Sequence, residues 1–317
     1  FHAGLQLLVA DQLEQAQVDG VRFVQDLAIG VDPAGADAWL LQDLLALGTS
    51  VGAPPDDFAP EGQSWGLPPF IPWRLRDVGY RPFAELLRAS MATDGGLRVD
   101  HVMGLSRLFW IPPGCSPEHG TYVRFAGREM LDVLAMESAR AGAIVVGEDL
   151  GTVEEGFRHD LSDTRVLSTR LVWFEDVPPE EYPREALAMV TTHDLPTIAG
   201  VSSGADDDEL IDLDRPAADE ASARLKARLA ALVEDPAAVP ADLAASLHDR
   251  LGRSPAQLVL ATLEDLVGVR LRPNVPGTGS DERANWSQAL PLTVEDMVDD
   301  LGARGSAEAL AATRPSD

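Results

Sequence analysis

The sequence has a single cysteine, no long apolar run and few basic residues. In a chain of 317 residues, Cys115 alone cannot form an internal disulfide, and this cysteine usage fits a reducing, cytoplasmic location. No apolar stretch approaches the ~18 residues that a membrane span needs, and we find no charged-then-apolar leader. We therefore expect a cytoplasmic protein with no membrane partner.

The charge balance narrows the choice of partner. Only 25 basic residues stand against 52 acidic ones, and the formal net charge is −27. Binding to nucleic acid or to an anionic membrane needs clustered cations, so neither is expected, whereas a neutral polar ligand such as a sugar is compatible. A glycine-rich phosphate loop, zinc-ligand spacing and a Gly-x-Ser-x-Gly elbow are all missing from the sequence. We therefore predict no cofactor and no metal.

Acidic residues are densest between residues 203 and 220. The run Asp206-Asp207-Asp208-Glu209 lacks the central glycine of a calcium-binding helical-hand loop, so a calcium-binding structural protein is a weak alternative. We interpret 203–220 as an irregular, solvated surface insertion.

The strongest pattern in the chain is an apolar strand followed by a carboxylate, and it occurs four times. The four acids are Asp26, Asp100, Glu148 and Asp194. In a barrel of parallel strands, side chains that leave the carboxyl ends of the strands face the active site. The length suits one barrel-type domain, and six strands can be placed along it.

Arg98 and Asp100 are the most informative pair. Two positions apart on a strand, they share a face, and the arginine can keep the carboxylate ionised and oriented. The alternative is a buried ion pair that only fixes the strand end. Taken alone, an aspartate such as Asp26 is more often a turn or capping residue, and a histidine such as His193 more often a structural one.

Residues 50–75 form a second insertion, with six prolines and two tryptophans between Ser50 and Arg74. This composition predicts neither a helix nor a central strand, and long loops in compact domains are often functional. An aromatic face beside amide and carboxylate groups suits a sugar, although the aromatics could instead pack on the body of the domain.

Several carboxylates at one barrel mouth fit retaining glycoside chemistry. That chemistry uses an ionised carboxylate as nucleophile and a protonated one, with a raised pKa, as proton donor. Asp100 beside Arg98 suits the first role, and Glu148, without a basic neighbour in its strand, suits the second. Asp194 and His193 could grip sugar hydroxyls.

Seven short stretches together resemble the 4-α-glucanotransferases of the amylomaltase (disproportionating enzyme) family, in the α-amylase clan. They are QDLAIGV from Gln25, GAPPD from Gly52, GQSWG from Gly62, LRVDH from Leu97, GEDLG from Gly147, THDLPT from Thr192, and NVPGT from Asn274 with Asn285-Trp286. They follow the family's order along nearly the whole chain.

The resemblance implies an α/β fold of the (β/α)8 TIM-barrel type. It also implies that Asp100 is the nucleophile, Glu148 the acid/base and Asp194 the transition-state stabiliser. The implied substrate-binding residues are Asp26, Trp65, Arg98, His101, His193 and Asn274, with Trp65 on the acceptor side. The implied partners are α-1,4-glucans: maltooligosaccharides and fragments of starch or glycogen.

By the family's pattern, the strand that ends at Asp26 is the third of eight. We therefore expect residues 1–317 to form a C-terminal portion of the catalytic barrel, with six strands and without the first two. Two alternatives remain open: an α-amylase-like glucan hydrolase that uses the same three acids, and a fragment that binds glucan but is inactive.

Overall fold

The computed structural model describes residues 2–17, 20–55, 61–93, 95–215 and 219–314. The chain divides into two compact units, Phe1–Ser168 and Thr169–Asp317, with the boundary inside a β-strand, where the sequence suggested one barrel portion. Residues 56–60 of the first predicted insertion and 216–218 of the second lie outside the described residues.

The elements alternate between strands and helices, as expected for an α/β chain. The strands are β1 Phe23–Leu27, β2 Ser50–Ala53, β3 Gln63–Ser64, β4 Gly95–Val99, β5 Arg107–Ile111, β6 Thr121–Arg124, β7 Ile144–Gly147, β8 Leu167–Leu171, β9 Ala186–Met189 and β10 Leu258–Leu260. The helices are α1 His2–Gln17, α2 Ala36–Leu40, α3 Pro72–Asp77, α4 Arg81–Ser90, α5 Gly127–Ala141, α6 Phe157–Asp163, α7 Ile198–Ser203, α8 Ala205–Asp212, α9 Asp219–Leu232, α10 Pro240–Gly252, α11 Leu263–Leu266, α12 Val294–Asp299 and α13 Leu301–Ala312.

All six strands predicted from apolar runs are present. In the first unit, β4 pairs in parallel with β1 and β7, and β7 pairs in parallel with the start of β8. In the second unit, the end of β8 neighbours β9, which pairs in parallel with β10. The α/β class is confirmed, and the assignment of these six strands to an incomplete (β/α)8 barrel stays a prediction.

Two glycines allow β4 to lie tightly between its neighbours. A Cβ on Gly95, whose φ is +149°, would stand 2.2 Å from the carbonyl oxygen of Phe23. A Cβ on Gly96 would stand 2.4 Å from the carbonyl oxygen of Ile144. Any larger residue would therefore push the neighbouring strands away from the strand that carries Arg98.

The insertion at 50–75 is more regular than its prolines suggested. Strands β2 and β3 join β5 and β6 in a four-stranded antiparallel sheet, in the order β3-β2-β5-β6. The prolines avoid the strand interiors: Pro54 and Pro55 follow β2, and Pro72 begins α3, where its missing N–H costs no helical hydrogen bond. The expectation that this stretch lacks regular structure was therefore wrong.

The interpretation of 203–220 as irregular was also wrong for residues 205–212, which form α8, and its description as solvated was wrong for Asp206. Asp206 is only 4% exposed, and its carboxylate is bonded to the guanidinium of Arg272. A distant cation, rather than solvent, therefore stabilises this part of the acidic run.

Each unit has its own apolar core. In the first, α4 and α5 pack on the parallel strands through fully buried leucines such as Leu87, Leu97 and Leu134. In the second, α7, α9 and α10 enclose Val172, Trp173 and Leu251. Among the described residues, no helix combines the length and apolar character needed to cross a bilayer.

A buried carboxyl group holds the start of α7. Oδ1 of Asp265 accepts the backbone N–H of Ile198 at 2.7 Å, while Oδ2 has no hydrogen-bond partner in the described part of the chain. Burial raises the pKa of Asp265 from 3.8 to about 7. The folded chain therefore keeps this proton in a pH range where the unfolded chain has lost it, and stability decreases as pH rises from about 4 to about 7.

We predict that Asp265→Asn, which keeps an oxygen for Ile198 but cannot ionise, removes this pH dependence. The unfolding free energy of the unsubstituted chain should fall relative to that of the variant between about pH 4 and 7, by up to ~1.4 kcal/mol per pH unit. Urea unfolding at several pH values measures the difference. Asp132→Asn on the exposed face of α5 serves as the control, and a difference that is constant with pH would contradict the prediction.

Candidate active site

Arg98 lies between two of the predicted site carboxylates. In the register of β1 and β4, Arg98 is opposite Asp26. Its Nη1 donates to both oxygens of Asp26, at 2.7 and 2.8 Å, and its Nη2 donates to Oδ1 of Asp100 at 3.0 Å. One guanidinium therefore fixes a carboxylate on the neighbouring strand and another just beyond the end of its own strand.

The charges around Arg98 keep it protonated. Burial alone would lower the pKa of the guanidinium, but the negative charges of Asp26, Asp100 and Glu148 raise it above its usual range. A permanent cation hydrogen-bonded to Asp100 favours the ionised form of that carboxylate. Asp100 thus has the surroundings of a nucleophile rather than of a proton donor.

Glu148 follows β7 directly and is fixed at both its backbone and its side chain. Its N–H donates to the carbonyl of Val99, and its own carbonyl accepts from Val102. Its Oε1 accepts the backbone N–H of Leu150 at 2.7 Å, and its Oε2 accepts that of His101 at 2.9 Å. The carboxyl group therefore has one preferred orientation toward the end of β4.

The protonation of Glu148 differs from that of an exposed glutamate. Burial is the main cause that raises its pKa, and the negative charge of Asp100 raises it further. Backbone N–H groups of Leu150 and His101 and the charge of Arg98 oppose this shift without cancelling it. An acid with a raised pKa and an arginine-bound carboxylate that influences it supply the two protonation states that retaining glycoside chemistry uses.

His101 contributes through its backbone and its ring. Its φ of 44° and ψ of 59° lie in the left-handed region, which directs its N–H to Glu148. Burial and the nearby charge of Arg107 lower the pKa of the imidazole to about 4, so the ring is neutral at pH 7. The Trp65 ring meets it edge to face, with 5.7 Å between centroids, and Trp65 Nε1 donates to Gln63.

The residues on either side of Glu148 have structural roles that sequence reasoning missed. A Cβ on Gly147 would lie 2.8 Å from the Val102 side chain, so this glycine allows close packing within the protein. Asp149 is fully buried and accepts from Nε of Arg158 at 2.7 Å. The only signal in the sequence was that Asp149 is next to Glu148, and nothing there identified its partner.

The second unit contains the other predicted site residues. His193 and Asp194 lie in the loop after β9, with Nε2 of His193 3.3 Å from Oδ2 of Asp194. Asn274 donates its side-chain N–H to Oδ1 of Asp194 at 2.7 Å, and its backbone N–H to the carbonyl of His193. These three residues form a polar group from two loops 80 residues apart.

Arg272 anchors this group, and sequence reasoning did not identify it. Its Nη1 donates to the carbonyl of Asp194 at 2.8 Å, while the rest of the guanidinium is paired with the buried carboxylate of Asp206 on α8. The loop that carries Asn274 and the loop that carries Asp194 are thereby attached to the same helix. In the sequence, the only sign of a role for Arg272 was its position two residues before Asn274.

The nine predicted site residues thus fall into two groups, one in each unit. The group in the first unit has two sets of direct contacts. One links Asp26, Arg98 and Asp100, and the other links Trp65, His101 and Glu148. The second group comprises His193, Asp194 and Asn274.

We predict that Asp100→Asn lowers the pKa of Glu148, because it removes a negative charge that favours the protonated form. Carbon-13 NMR of labelled glutamate carboxyl groups, titrated with pH, gives this pKa directly. Asp26→Asn is the matched control, because it removes the other partner of Arg98 and should shift Glu148 less. An unchanged or raised pKa in Asp100→Asn would contradict the proposed electrostatics.

Comparison with known proteins shows the family to which the chain is similar. The model of the Glyco_hydro_77 family, described as 4-alpha-glucanotransferase, matches residues 1–293. The 4-alpha-glucanotransferase of Mycobacterium tuberculosis is 40% identical over 100% of this chain and 48% of its own length. The enzyme of the same name from Haemophilus influenzae is 34% identical over 92% of this chain and 46% of its own.

Solved structures give the same result. The amylomaltase of Corynebacterium glutamicum has a TM-score of 0.89 and 36% identity, covering 96% of this chain and 49% of that one. The amylomaltase of Streptococcus agalactiae in complex with acarbose shares the fold, with a TM-score of 0.77 and 20% identity over 96% of this chain and 60% of that one. The chain spans about half the length of the curated relatives it matches. It belongs to the Glyco_hydro_77 family of 4-alpha-glucanotransferases.

Proposed function

We propose that this chain carries the catalytic residues of a 4-α-glucanotransferase, which transfers a segment of an α-1,4-glucan to the 4-hydroxyl of another glucan. The observation that carries the proposal is the difference between two carboxyl groups. Asp100 is hydrogen-bonded to Arg98, whereas the pKa of Glu148 is raised, in part by the charge of Asp100. Because the chain spans about half of its relatives' length, activity and substrate are proposed here on the family and the site geometry together.

In the first half of the proposed reaction, Asp100 attacks the anomeric carbon of the donor sugar. Glu148 gives its proton to the glycosidic oxygen, so the bond breaks and the leaving glucan departs with a neutral 4-hydroxyl. The donor segment remains as an ester on Asp100. The hydrogen bond from Arg98 is compatible with this role because it leaves Asp100 ionised before the attack.

Formation of the ester changes the charge near Glu148. Once Asp100 is esterified, its negative charge is gone, and one of the causes that raise the Glu148 pKa disappears. Glu148 then remains ionised more readily after it has given up its proton, so its carboxylate is available as the base that the second half requires. It takes the proton from the acceptor's 4-hydroxyl, which attacks the anomeric carbon and releases Asp100.

The remaining predicted residues are assigned to binding. Asp194 would hold sugar hydroxyls and strengthen that hold as the oxocarbenium-like transition state forms, with His193 and Asn274 supporting it. Arg98 and Asp26 would position the reacting sugar. Trp65 and His101 would border the acceptor, and the neutral His101 ring suits a neutral ligand.

The proposed partners are maltooligosaccharides and fragments of starch or glycogen. The acidic composition is compatible with neutral glucans, and the single cysteine is compatible with a cytoplasmic location, which we also propose. Transfer differs from hydrolysis only in whether a glucan hydroxyl or water releases the ester.

Incubation of this chain with maltotriose tests the proposal. We expect glucose together with a ladder of longer maltodextrins, resolved by chain length. Asp100→Asn should abolish the ladder, and Glu148→Gln should slow its formation by about 10²–10⁴-fold, because the general acid is lost. Asp132→Asn, on the exposed surface of α5, is the control and should leave the ladder unchanged.

Two other results would overturn the proposal. Glucose and maltose without longer products would identify a hydrolase. Unchanged maltotriose, with a chain that still binds it, would identify a glucan-binding fragment without transferase activity.

A further inference from the structure

Trp286 is an exposed aromatic residue beside the Asp194 group. Its side chain is 64% exposed, yet its ring contacts that of His193, with 4.9 Å between centroids and 49° between planes. A large aromatic residue normally hides most of its surface, so an exposed ring next to fixed polar groups needs an explanation.

The backbone at Trp286 is held in an unfavourable conformation. Its φ is +60°, in the left-handed region that residues other than glycine rarely adopt. The N–H of Trp286 donates to the carbonyl of Pro273 at 3.0 Å, which closes the loop on itself. Such strain persists only where the surroundings fix it, and it is concentrated at functional sites.

Asn285, the neighbouring residue, supplies much of this constraint. Its Oδ1 accepts from the backbone N–H of Val275 and from Nη1 of Arg283, and its Nδ2 donates to Oγ1 of Thr278 at 2.7 Å. Loop residues 275–286 are thereby tied to the segment that carries Asn274.

Arg283 attaches the same loop to the protein interior. Its side chain is about 6% exposed, and it donates to the carbonyls of Arg272 and Pro273 and to the carboxylate of Glu209 on α8. Because Arg272 also bonds the backbone carbonyl of Asp194, the backbones of Trp286 and Asp194 are held by one hydrogen-bonded framework. The Trp286 ring therefore extends from a fixed backbone and lies against His193.

The combination has the chemistry of a sugar site. A pyranose ring presents C–H groups that pack on an aromatic face, and hydroxyls that bond to amide and carboxylate groups. Asp194, His193 and Asn274 supply the polar groups, and Trp286 supplies the face. Since the ring of Trp286 contacts that of His193, a sugar stacked on Trp286 would be next to a sugar unit held at Asp194.

We propose that Trp286 is a substrate-binding residue that stacks on a glucosyl unit adjacent to the one held by His193, Asp194 and Asn274. This proposal rests on the proposed function, because it takes the ligand to be an α-1,4-glucan. It adds a subsite, and with it a preference for glucans long enough to reach Trp286.

Titration calorimetry with maltose, maltotriose, maltotetraose and maltopentaose tests the proposal. Every chain compared carries Asp100→Asn, so that the glucans are bound but not converted, and the chain with no further change is called unsubstituted in this comparison. For the unsubstituted chain, affinity should rise at the length where a glucosyl unit first reaches Trp286. Trp286→Gly, which accepts the left-handed backbone but has no ring, should lose that rise and bind the longer glucans roughly tenfold more weakly. Its affinity for the shorter ones should be unchanged.

Two further variants complete the design. Trp286→Phe keeps an aromatic face and should retain part of the rise. Trp39→Ala is the matched control, because Trp39 on α2 is also a highly exposed tryptophan, at 72%, and this variant should bind every glucan as the unsubstituted chain does.

The outcomes separate this inference from the proposed function. An unchanged length series in Trp286→Gly would overturn the stacking role and leave the proposed function intact. An equal loss at every length would also overturn it, because it would indicate a distorted loop. Failure of the unsubstituted chain to bind any of the four glucans would overturn both.

Discussion

The hydrogen bonds of Arg98 are the interaction on which the rest of the candidate site depends. The cation joins Asp26 to Asp100 and contributes to the field at Glu148. Two neighbouring carboxyl groups such as Asp100 and Glu148 repel each other when both are ionised. The guanidinium of Arg98, which is bonded to Asp100, favours ionisation of Asp100 over that of Glu148. Glycines 95 and 96 serve this arrangement, because they let β1, β4 and β7 lie close enough for the register that pairs Arg98 with Asp26.

Local pattern was sufficient to predict the strands and the acids that follow them. Apolar runs located all six parallel strands, and alternation correctly placed Arg98 and Asp100 on one face. Asp26 lies within β1 rather than after it, and Asp194 comes five residues after Met189, the last residue of β9. These offsets arise because the apolar signal does not show where interstrand hydrogen bonding stops.

Contacts between distant residues explain what the sequence did not predict. Asp206 looked like part of a solvated acidic run because its partner, Arg272, is 66 residues away. The antiparallel sheet was missed because the prolines that disfavour strands lie outside β2 and β3, with Pro54 and Pro55 directly after β2. His101 was predicted as a binding residue, and that role stays a prediction. Its left-handed backbone and its hydrogen bond to Glu148 were not predicted, because both depend on the folded loop.

The central claim is that Asp100 forms the covalent intermediate and Glu148 resolves it. The most direct measurement uses Glu148→Gln and a maltosyl fluoride that lacks the terminal 4-hydroxyl. Fluoride leaves without an acid, so the ester forms but no base activates an acceptor. Mass spectrometry should then show that the peptide containing Asp100 carries one maltosyl group that lacks its terminal 4-hydroxyl. An adduct on any other residue, or none, would contradict the account.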